Sequence, residues 1–382
     1  MQIAILGRGV VGGGIIKLVE EAETPLLQKI KIKKILVHRD EQILDDQHTT
    51  DFVEIVNDPE ISVVCECIGG VEPAHSYVKR ALEAGKHVVT ANKKMLAVYA
   101  GELFDLARQK GLVLAYEASV GGGIPWIDNI KHIQRLEPVT AFQGIFNGTS
   151  NYILSQMAEK DLDFAACLKE AQELGYAEKD PSDDIDGGDV CYKVCLSALT
   201  AFGKIADPSQ VDQWGIRHLT KEDFAWAKAN GRTIKLLGRG RQTGEKLSLQ
   251  VLPVMLKKTS LLAGVGLNFN ALETDSASLG PATFVGQGAG SLPTAHAAVR
   301  DLLDLAEGKK EIVQSAEPGQ LTDEEEQTFY LRTNRADFFQ DVVAERISEK
   351  AFLTKKLTLA EISSLVKESG DLSSFLAGVA DE

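Results

Sequence analysis

The residue types best suited to acid–base chemistry lie between Glu178 and Lys193, in the sequence EKDPSDDIDGGDVCYK. Asp189 and Lys193 are four residues apart at the start of a predicted helix, so their side chains share one face. A surface ion pair with this spacing is common and contributes only about 0.3–0.5 kcal/mol. The helix is otherwise apolar, however, and a lysine in such surroundings would point into a cleft, where desolvation lowers its pKa. The residues alone leave both interpretations open.

Other polar residues follow predicted strands. The sequence TANKK places Thr90 and Lys93 after a buried strand, where a lysine could contact a nicotinamide or a substrate. Lys94 fits a solvated position at the strand end. In the sequence FNGTSN, hydroxyl and backbone N–H groups at Thr149 and Ser150 suit either a substrate carboxylate or a helix N-cap.

The glycines near the N-terminus predict a phosphate-binding turn. The apolar run IAIL is followed by G-x-G-x-x-G and then by residues with helical spacing. A strand, a glycine turn and a helix N-terminus direct backbone N–H groups and the helix dipole at an anion. A glycine-rich turn that binds nothing is the weaker alternative. The predicted cofactor contacts here are Gly7, Gly9, Val10, Val11 and Gly12.

The end of the predicted second strand bears on the choice between NAD and NADP. An acid at this point holds the ribose 2′-hydroxyl of NAD, whereas an arginine suits the 2′-phosphate of NADP. The strand is followed by His38, Arg39 and Asp40. Arg39 favours NADP, Asp40 keeps NAD as an alternative, and a plain surface turn is a third interpretation.

The order of the predicted strands and helices indicates the fold that positions these residues. Strands alternate with helices through residues 1–130, which predicts an α/β fold with a Rossmann-type doubly wound parallel sheet. Residues 131–292 predict a second α+β domain with a mixed sheet, for catalysis and dimerisation. A helix at about 293–308 is expected to pack back on the first domain, and residues 317–382 form a charged C-terminal tail.

Composition excludes some functions. The formal net charge is −14, which argues against a nucleic-acid partner. No apolar stretch approaches the roughly 20 residues that span a bilayer, so no membrane association is expected. Met1 leads directly into the first strand and five cysteines are present. We therefore expect no signal peptide, free thiols and a cytoplasmic location.

Several longer motifs occur in an order and spacing that resemble the homoserine dehydrogenase family, from the first strand to about residue 310. The most specific are GIFNGTSNYIL and LGYAEKDPSDDIDGGDVCYK, accompanied by GRGVVGGG, IGGVEPA, VVTANKK, EASVGGGIP and GQGAGSLPTA. The resemblance implies NAD(P)H-dependent, reversible reduction of L-aspartate 4-semialdehyde to L-homoserine in threonine and methionine biosynthesis. It also implies a homodimer or homotetramer.

The resemblance also implies roles for individual residues. Lys193 would be the acid/base lysine, Lys93 its partner and Asp189 an orienting residue, while Glu178 would hold the substrate ammonium. Further substrate contacts would come from Gly175, Tyr176, Asp184 and Thr149. Further cofactor contacts would come from Thr90, Lys93, Gly175 and Gly288. A structural monovalent cation such as sodium would bind at Glu117, Val120, Gly122 and Ile124, mostly through backbone carbonyls.

The sequence also allows one interpretation of the C-terminal tail and two alternative functions. The tail could be a degenerate or partial ACT-like regulatory segment, with FYLRT as a first strand and ADFFQDVVAERI as the following helix. A non-catalytic nucleotide-binding regulator could retain the glycine loop, although the presence of both lysines and both acids argues against it. A dehydrogenase for another small amino acid or aldehyde is the second alternative.

Overall fold

The computed structural model describes residues 1–39, 42, 44–309, 316–323 and 325–380 of the chain. The strands are β1 (Gln2–Leu6), β2 (Lys31–Leu36), β3 (His48–Thr49), β4 (Ile61–Glu66), β5 (His87–Thr90), β6 (Leu114–Ala115), β7 (Val139–Ile145), β8 (Lys204–Ile205), β9 (Asp212–Gln213), β10 (Arg232–Thr243), β11 (Lys246–Lys257), β12 (Phe269–Ser276), β13 (Ala282–Gln287), β14 (Glu317–Pro318), β15 (Gln320–Leu321), β16 (Phe329–Arg332), β17 (Val343–Arg346), β18 (Ala351–Thr354) and β19 (Phe375–Val379). The helices are α1 (Val10–Glu20), α2 (Phe52–Val56), α3 (Ala74–Glu83), α4 (Lys93–Lys110), α5 (Trp126–Gln134), α6 (Gly148–Lys160), α7 (Phe164–Glu173), α8 (Ser182–Ile185), α9 (Gly188–Phe202), α10 (Lys221–Ala229), α11 (Ser291–Ala306) and α12 (Leu359–Ser369).

The chain divides into two compact units. The first unit comprises Met1–Leu136, Leu196–Asp207 and Gln287–Pro318. The second comprises Glu137–Cys195, Pro208–Gly286 and Gly319–Glu382. In the described part of the chain, no helix combines the length and apolar character needed to cross a membrane.

The first unit is built on a six-stranded sheet in the order β3-β2-β1-β4-β5-β6, and every pairing in it is parallel. The central strand β1 is a short apolar run whose residues Ile3–Leu6 are fully buried, as expected for a parallel strand covered on both faces. The predicted Rossmann-type doubly wound sheet is therefore confirmed. The last strand, β6, has only two residues and is followed by a 3₁₀ turn at Glu117–Ser119.

Helix α11, from late in the sequence, packs against α1 in this first unit. A Cβ atom on Gly14 would lie 2.7 Å from the Ser291 carbonyl oxygen and 2.8 Å from the Ala295 Cβ, so the two helices approach too closely for any side chain there. The Ser291 hydroxyl donates to the Val10 carbonyl at 2.7 Å. This packing fixes the N-terminus of α1, where the glycine loop ends.

The second unit contains the predicted mixed sheet, whose main path runs β13-β12-β7-β10-β11-β19-β16-β18-β17. Its longest pair is the antiparallel hairpin of β10 and β11, in full register from Arg232–Lys257 to Thr243–Lys246. Gly238 in β10 lies directly under α9, so close that a Cβ atom there would overlap the Val194 side chain. Close packing of α9 on β10 is what holds the helix that carries Lys193.

Among its described residues, the C-terminal segment adds five strands to this sheet: β15 pairs with β11 off the main path, and β16–β19 lie on that path. Strand β19 pairs in parallel with β11, and β16, β18 and β17 follow in antiparallel order. The helix predicted over ADFFQDVVAERI is wrong: a 3₁₀ turn at Gln340–Val342 leads into β17. Pairing with β18 provides hydrogen-bond partners for the backbone N–H and C=O groups of β17. This tertiary pairing overrides the local residue pattern that predicted a helix.

Candidate active site

The glycine loop has the geometry of an anion-binding turn. Gly7 has a φ of +98°, and a Cβ atom on Gly12 would overlap the Gly7 carbonyl oxygen. Gly9 is the N-cap of α1 and provides no side-chain cap, so the first N–H groups of the helix are not capped from within the loop. The adjacent Val10 is 68% exposed. The turn therefore fits the phosphates of a dinucleotide, with room for a close backbone approach.

Thr90 lies beside a buried carboxylate that sequence reasoning missed. Glu66 is the last residue of β4 and is fully buried; it accepts a hydrogen bond from the Thr90 hydroxyl at 2.6 Å and from the Ile68 N–H at 2.7 Å. Burial raises the pKa of Glu66. The available signal was the single acid within the apolar run ISVVCECIGG. Glu66 thus fixes Thr90 at the carboxyl edge of the sheet, where ligands bind in this fold.

Lys93 follows β5 and is the first residue of α4. The Asn92 side chain caps this helix by accepting from the Met95 N–H at 3.1 Å. The Asn92 amide also donates to the Gly70 carbonyl at 2.7 Å. Lys93 is partly buried and lies on the first turn of a firmly anchored helix.

Arg39 is exposed just beyond β2, at the position predicted for contact with a ribose substituent. The N–H groups of His38 and Arg39 both donate to the Gln42 side-chain oxygen at 3.1 Å, which orders the turn. Asp40 lies outside the described residues.

Lys193 and Asp189 form a buried pair in the second unit. The Lys193 ammonium donates to Asp189 Oδ2 at 2.7 Å and to the Phe146 carbonyl oxygen at 2.7 Å. The two residues are 7% and 6% exposed, so the interpretation as a surface ion pair is wrong. The two acceptors fix the direction of the ammonium. Because the pair is buried, a nearby charge would interact with it more strongly than it would in water.

Asn147 connects this pair to the start of α6, and sequence reasoning gave it no individual role. Its amide nitrogen donates to Asp184 Oδ1 at 2.6 Å and to Asp189 Oδ2 at 2.9 Å. Its amide oxygen accepts from the Ser150 N–H at 2.7 Å and so caps α6. The predicted capping by Thr149 or Ser150 is therefore wrong, and α6 begins at Gly148 because Asn147 is its cap. The signal was an asparagine between an apolar strand and a helix.

The remaining predicted substrate residues lie around the loop after α7. The Thr149 hydroxyl donates to the Tyr176 carbonyl at 2.6 Å, which ties α6 to this loop. Gly175 has a φ of +76°, in the left-handed region that favours glycine. Tyr176 is 40% exposed and Glu178 is also exposed, with its backbone carbonyl accepting from Gln172 at 3.0 Å.

The predicted cation-binding turn surrounds a buried glutamate. The Glu117 carboxylate accepts from the Ile127 and Asp128 N–H groups at 3.2 and 2.8 Å and so caps α5, while its own N–H donates to Asp301 at 3.2 Å. Burial, with the carboxylates of Asp128 and Asp301 adding to it, raises the pKa of Glu117 well above its usual value.

The other residues of this turn contact Gly288. Gly122 has a φ of +59°, and a Cβ atom there would overlap the backbone of Gly288, which is itself buried. The Ile124 carbonyl accepts from the Trp126 N–H at 2.8 Å, and Val120 is fully buried. The structure thus brings Glu117, Val120, Gly122 and Ile124 into one compact turn.

Comparison with known proteins agrees with this arrangement. Residues 7–117 match the family model for the homoserine dehydrogenase NAD-binding domain, and residues 125–303 match the model for homoserine dehydrogenase. The homoserine dehydrogenase of Bacillus subtilis is 37% identical over 312 residues, covering 79% of this chain and 72% of the relative. That of Neisseria gonorrhoeae is 40% identical over 314 residues, covering 80% and 72%.

A solved structure extends the similarity through the C-terminal segment. The crystal structure of a homoserine dehydrogenase from Thiobacillus denitrificans superposes with a TM-score of 0.89 at 30% identity, covering 100% of this chain and 98% of that one. The two family models together match residues of both units, up to residue 303. The chain belongs to the homoserine dehydrogenase family, the NAD(P)-dependent oxidoreductases that act on a CH–OH group.

Proposed function

We propose that Lys193 is the acid/base residue in the interconversion of L-aspartate 4-semialdehyde and L-homoserine. The observation that carries this proposal is its buried ammonium, held by Asp189 and the Phe146 carbonyl. In the direction of reduction Lys193 gives a proton to the substrate oxygen, and in oxidation it takes that proton back. Asp189 orients the ammonium and stabilises its charge. A bound nicotinamide cofactor supplies or accepts the hydride.

The substrate is a zwitterion and needs partners for both charged groups. Glu178 binds its ammonium, because an exposed carboxylate in the loop after α7 is available for an incoming cation. Asp184 holds the Asn147 amide that also contacts Asp189, and so positions the acid–base pair. Thr149, Gly175 and Tyr176 shape the same loop, and Lys93 is a second lysine of the reaction. Replacing Glu178 with glutamine should mainly raise KM, since an unpaired ammonium weakens binding in ground and transition states alike.

We infer a preference for NADP over NAD. The exposed guanidinium of Arg39 follows β2 and would contact a 2′-phosphate, while the cofactor phosphates bind at Gly7, Gly9, Val10, Val11 and Gly12. Thr90, Lys93, Gly175 and Gly288 complete the proposed contacts. Arg39→Asp should shift kcat/KM toward NADH, with Arg80→Ala as a control whose guanidinium instead stacks on Phe52 at 5.0 Å. Wild-type protein that uses NADH as efficiently as NADPH would refute this role for Arg39.

The turn at Glu117, Val120, Gly122 and Ile124 is proposed to bind a structural monovalent cation such as sodium. Its supports are the compact backbone, whose carbonyls suit a hard cation, and the buried Glu117 carboxyl, whose raised pKa a bound cation would bring down. Thermal melts in sodium chloride and in tetramethylammonium chloride at equal ionic strength test it. A melting temperature that is the same in both salts would contradict the proposal.

The domain roles, assembly and location are also proposals. The first unit would bind the dinucleotide, the second would hold the substrate and form a homodimer or homotetramer, and the strands after residue 317 would form a partial ACT-like segment. All five cysteines are free thiols, which suits a reducing cytoplasm. Sedimentation equilibrium measures the assembly, and a monomer at micromolar concentration would contradict it.

The direct test of the substrate is NADPH oxidation with L-aspartate 4-semialdehyde, measured beside a panel of other small aldehydes. The proposal predicts the highest kcat/KM for the semialdehyde. A higher value for an aldehyde that lacks the α-amino acid group would indicate a different dehydrogenase. No turnover with any aldehyde would favour a non-catalytic regulator.

A further inference from the structure

One face of the sheet in the second unit changes from apolar to polar along its strands. The strand register aligns four polar residues in a row across β12, β7, β10 and β11, namely Glu273, Gln143, Arg239 and Gln250. Two residues away along each strand lies a row of four buried apolar residues, Ala271, Ile145, Leu237 and Leu252. Because side chains alternate along a strand, both rows lie on the same face. The polar row therefore begins where the apolar core of that face ends.

This face is opposite to the one that carries the proposed catalytic lysine. Gly238 alternates with Arg239 on β10, and a Cβ on Gly238 would meet Val190 and Val194 of α9 and the Phe146 ring. Lys193 lies on α9 and donates to the Phe146 carbonyl. Arg239 consequently projects away from the acid–base pair, and the reaction proposed above does not use it.

A cavity of about 360 Å³ lies over the polar row. One wall consists of the sheet residues around Arg239 and Gln250. The C-terminal segment provides the other wall, through Glu325–Gln327 and the end of β19 at Val379. The cavity thus lies inside the second unit, between the strands of its central sheet and the segment that follows residue 319.

Two buried polar atoms on the sheet wall have no hydrogen-bond partner among the described residues. They are the Arg239 Nε, which is a donor, and the Gln250 Oε1, which is an acceptor. Gln250 is only 3% exposed, and its other amide atom already donates to Asp323 at 3.2 Å. Buried polar groups are nearly always paired, and leaving one unpaired costs stability. A ligand that satisfied both atoms would carry an acceptor and a donor.

The charges around the cavity further restrict the kind of ligand that it could bind. Two of the acids are already engaged: Glu273 accepts from Gln143 and Thr283 at 2.8 Å, and Glu325 lies 3.8 Å from Arg241. The lining contains four carboxylates, from Glu273, Asp275, Glu325 and Glu326, but only two guanidiniums. A simple anion would meet this excess of negative charge, whereas a molecule with both charges would be compatible with it.

We propose that this cavity binds a small zwitterion, with a carboxylate on the Arg239 guanidinium and an ammonium facing Gln250 Oε1 and the carboxylates of the C-terminal wall. Arginine is suited to this contact because its planar donors match a carboxylate. The ligand would contact both walls and so hold the C-terminal segment against the central sheet. This site is separate from the substrate site, on the other face of the sheet.

The test uses L-alanine as the probe, because propionate and ethylammonium are its counterparts without the ammonium and without the carboxylate. Thermal melts of the full chain in each compound measure binding, and amide hydrogen exchange at residues 325–327 reports on the C-terminal wall. The variant is Arg239→Met, which keeps the length of the side chain but removes its donors. Lys257→Met is the matched control, because that lysine is exposed at the end of β11 and lies outside the lining of the cavity.

We expect alanine to raise the melting temperature of wild type and of Lys257→Met, and to slow exchange at residues 325–327. In Arg239→Met, the alanine concentration needed for the same shift should rise at least about ten-fold. Any alanine that binds at the substrate site would act equally on all three proteins. If Arg239→Met fails to fold, Gln250→Met must show the same loss.

Three results would overturn the proposal. One is a wild-type protein whose melting temperature does not respond to alanine. Another is a response that is unchanged in Arg239→Met, or in Gln250→Met where that variant is used. The third is a response to propionate or to ethylammonium as strong as that to alanine, because a zwitterion site needs both charges.

Discussion

Lys193 and Asp189 lie one helical turn apart on α9, with Nζ 2.7 Å from Oδ2 and less than a tenth of either residue exposed. Burying such a pair costs desolvation energy that its mutual attraction only partly offsets. Removing one partner alone costs about 3–5 kcal/mol, because the other charge stays buried without compensation. The pair is therefore poorly explained as a device for stability, and a buried ammonium held in one position fits the proposed role in proton transfer.

The network around Asn147 predicts a loss of activity that exceeds its loss of stability. Asn147→Ala removes the cap of α6 and the amide that contacts Asp184 and Asp189. Losing a cap should lower the free energy of unfolding by about 1 kcal/mol. Misplacing Asp189 should also lower kcat by roughly 10–100-fold.

A second helix cap supplies the control for Asn147. The Asp163 side chain caps α7 by accepting from the Ala166 N–H at 2.8 Å. Asp163→Ala should therefore lose comparable stability in denaturant titrations and keep normal kcat. Equal kcat values for the two variants would show that Asn147 acts only as a cap.

Alanine substitutions at two adjacent glycines of α1 should have different effects, one harming NADPH binding and the other stabilising the helix. Gly12→Ala would force a Cβ into the Gly7 carbonyl, whereas Gly13 has no atom within 4 Å of the position of its Cβ. Gly12→Ala should weaken NADPH binding by at least about ten-fold, or 1.4 kcal/mol. Gly13→Ala should instead stabilise the helix by about 0.5–1 kcal/mol. Fluorescence titration with NADPH and thermal melts measure both, and equal NADPH affinities would refute the close fit of the loop.

Lys235 predicts a pH dependence of stability on the alkaline side. It is 4% exposed, its ammonium donates to Asn151 at 2.9 Å and to the Val265 carbonyl, and burial lowers its pKa to about 8. Between pH 8 and the unfolded pKa near 10.4, the unfolded chain holds the proton and the folded chain does not. The free energy of unfolding should therefore rise with pH in this range, by up to about 3 kcal/mol in total.

Urea titrations at pH 7.5, 8.5 and 9.5 measure this effect of Lys235. Lys235→Met should lose this rise, while Lys31→Met, at an exposed position of β2, should keep it. A rise that persists in Lys235→Met would assign the dependence to other groups.

The sequence predicted most of this architecture because its signals are local. The apolar run of β1 followed by Gly7, Gly9 and Gly12 specifies strand, turn and helix within about 20 residues. The helix predicted at ADFFQDVVAERI failed because the backbone partners of β17 lie on β18 and could not be read from the segment itself. Asn147 and Glu66 were missed for a similar reason: each acts through partners distant in sequence, and each resembles an ordinary polar residue at a strand end.

Lys193 is proposed to handle the proton of the substrate oxygen. Lys193→Met removes the ammonium but keeps an apolar stem of similar length. Lys235→Met is the matched control, because it removes another buried lysine from the same unit without touching the acid–base pair.

The deciding measurement is kcat for NADPH-dependent reduction of L-aspartate 4-semialdehyde by these two variants, with folding verified by thermal melts. We expect Lys193→Met to lower kcat by roughly 10²–10⁴-fold, the usual effect of losing a positioned acid or base. NADPH affinity should be unchanged, and Lys235→Met should keep kcat within a few-fold of wild type. A folded Lys193→Met protein with kcat close to wild type would rule out Lys193 as the acid/base residue.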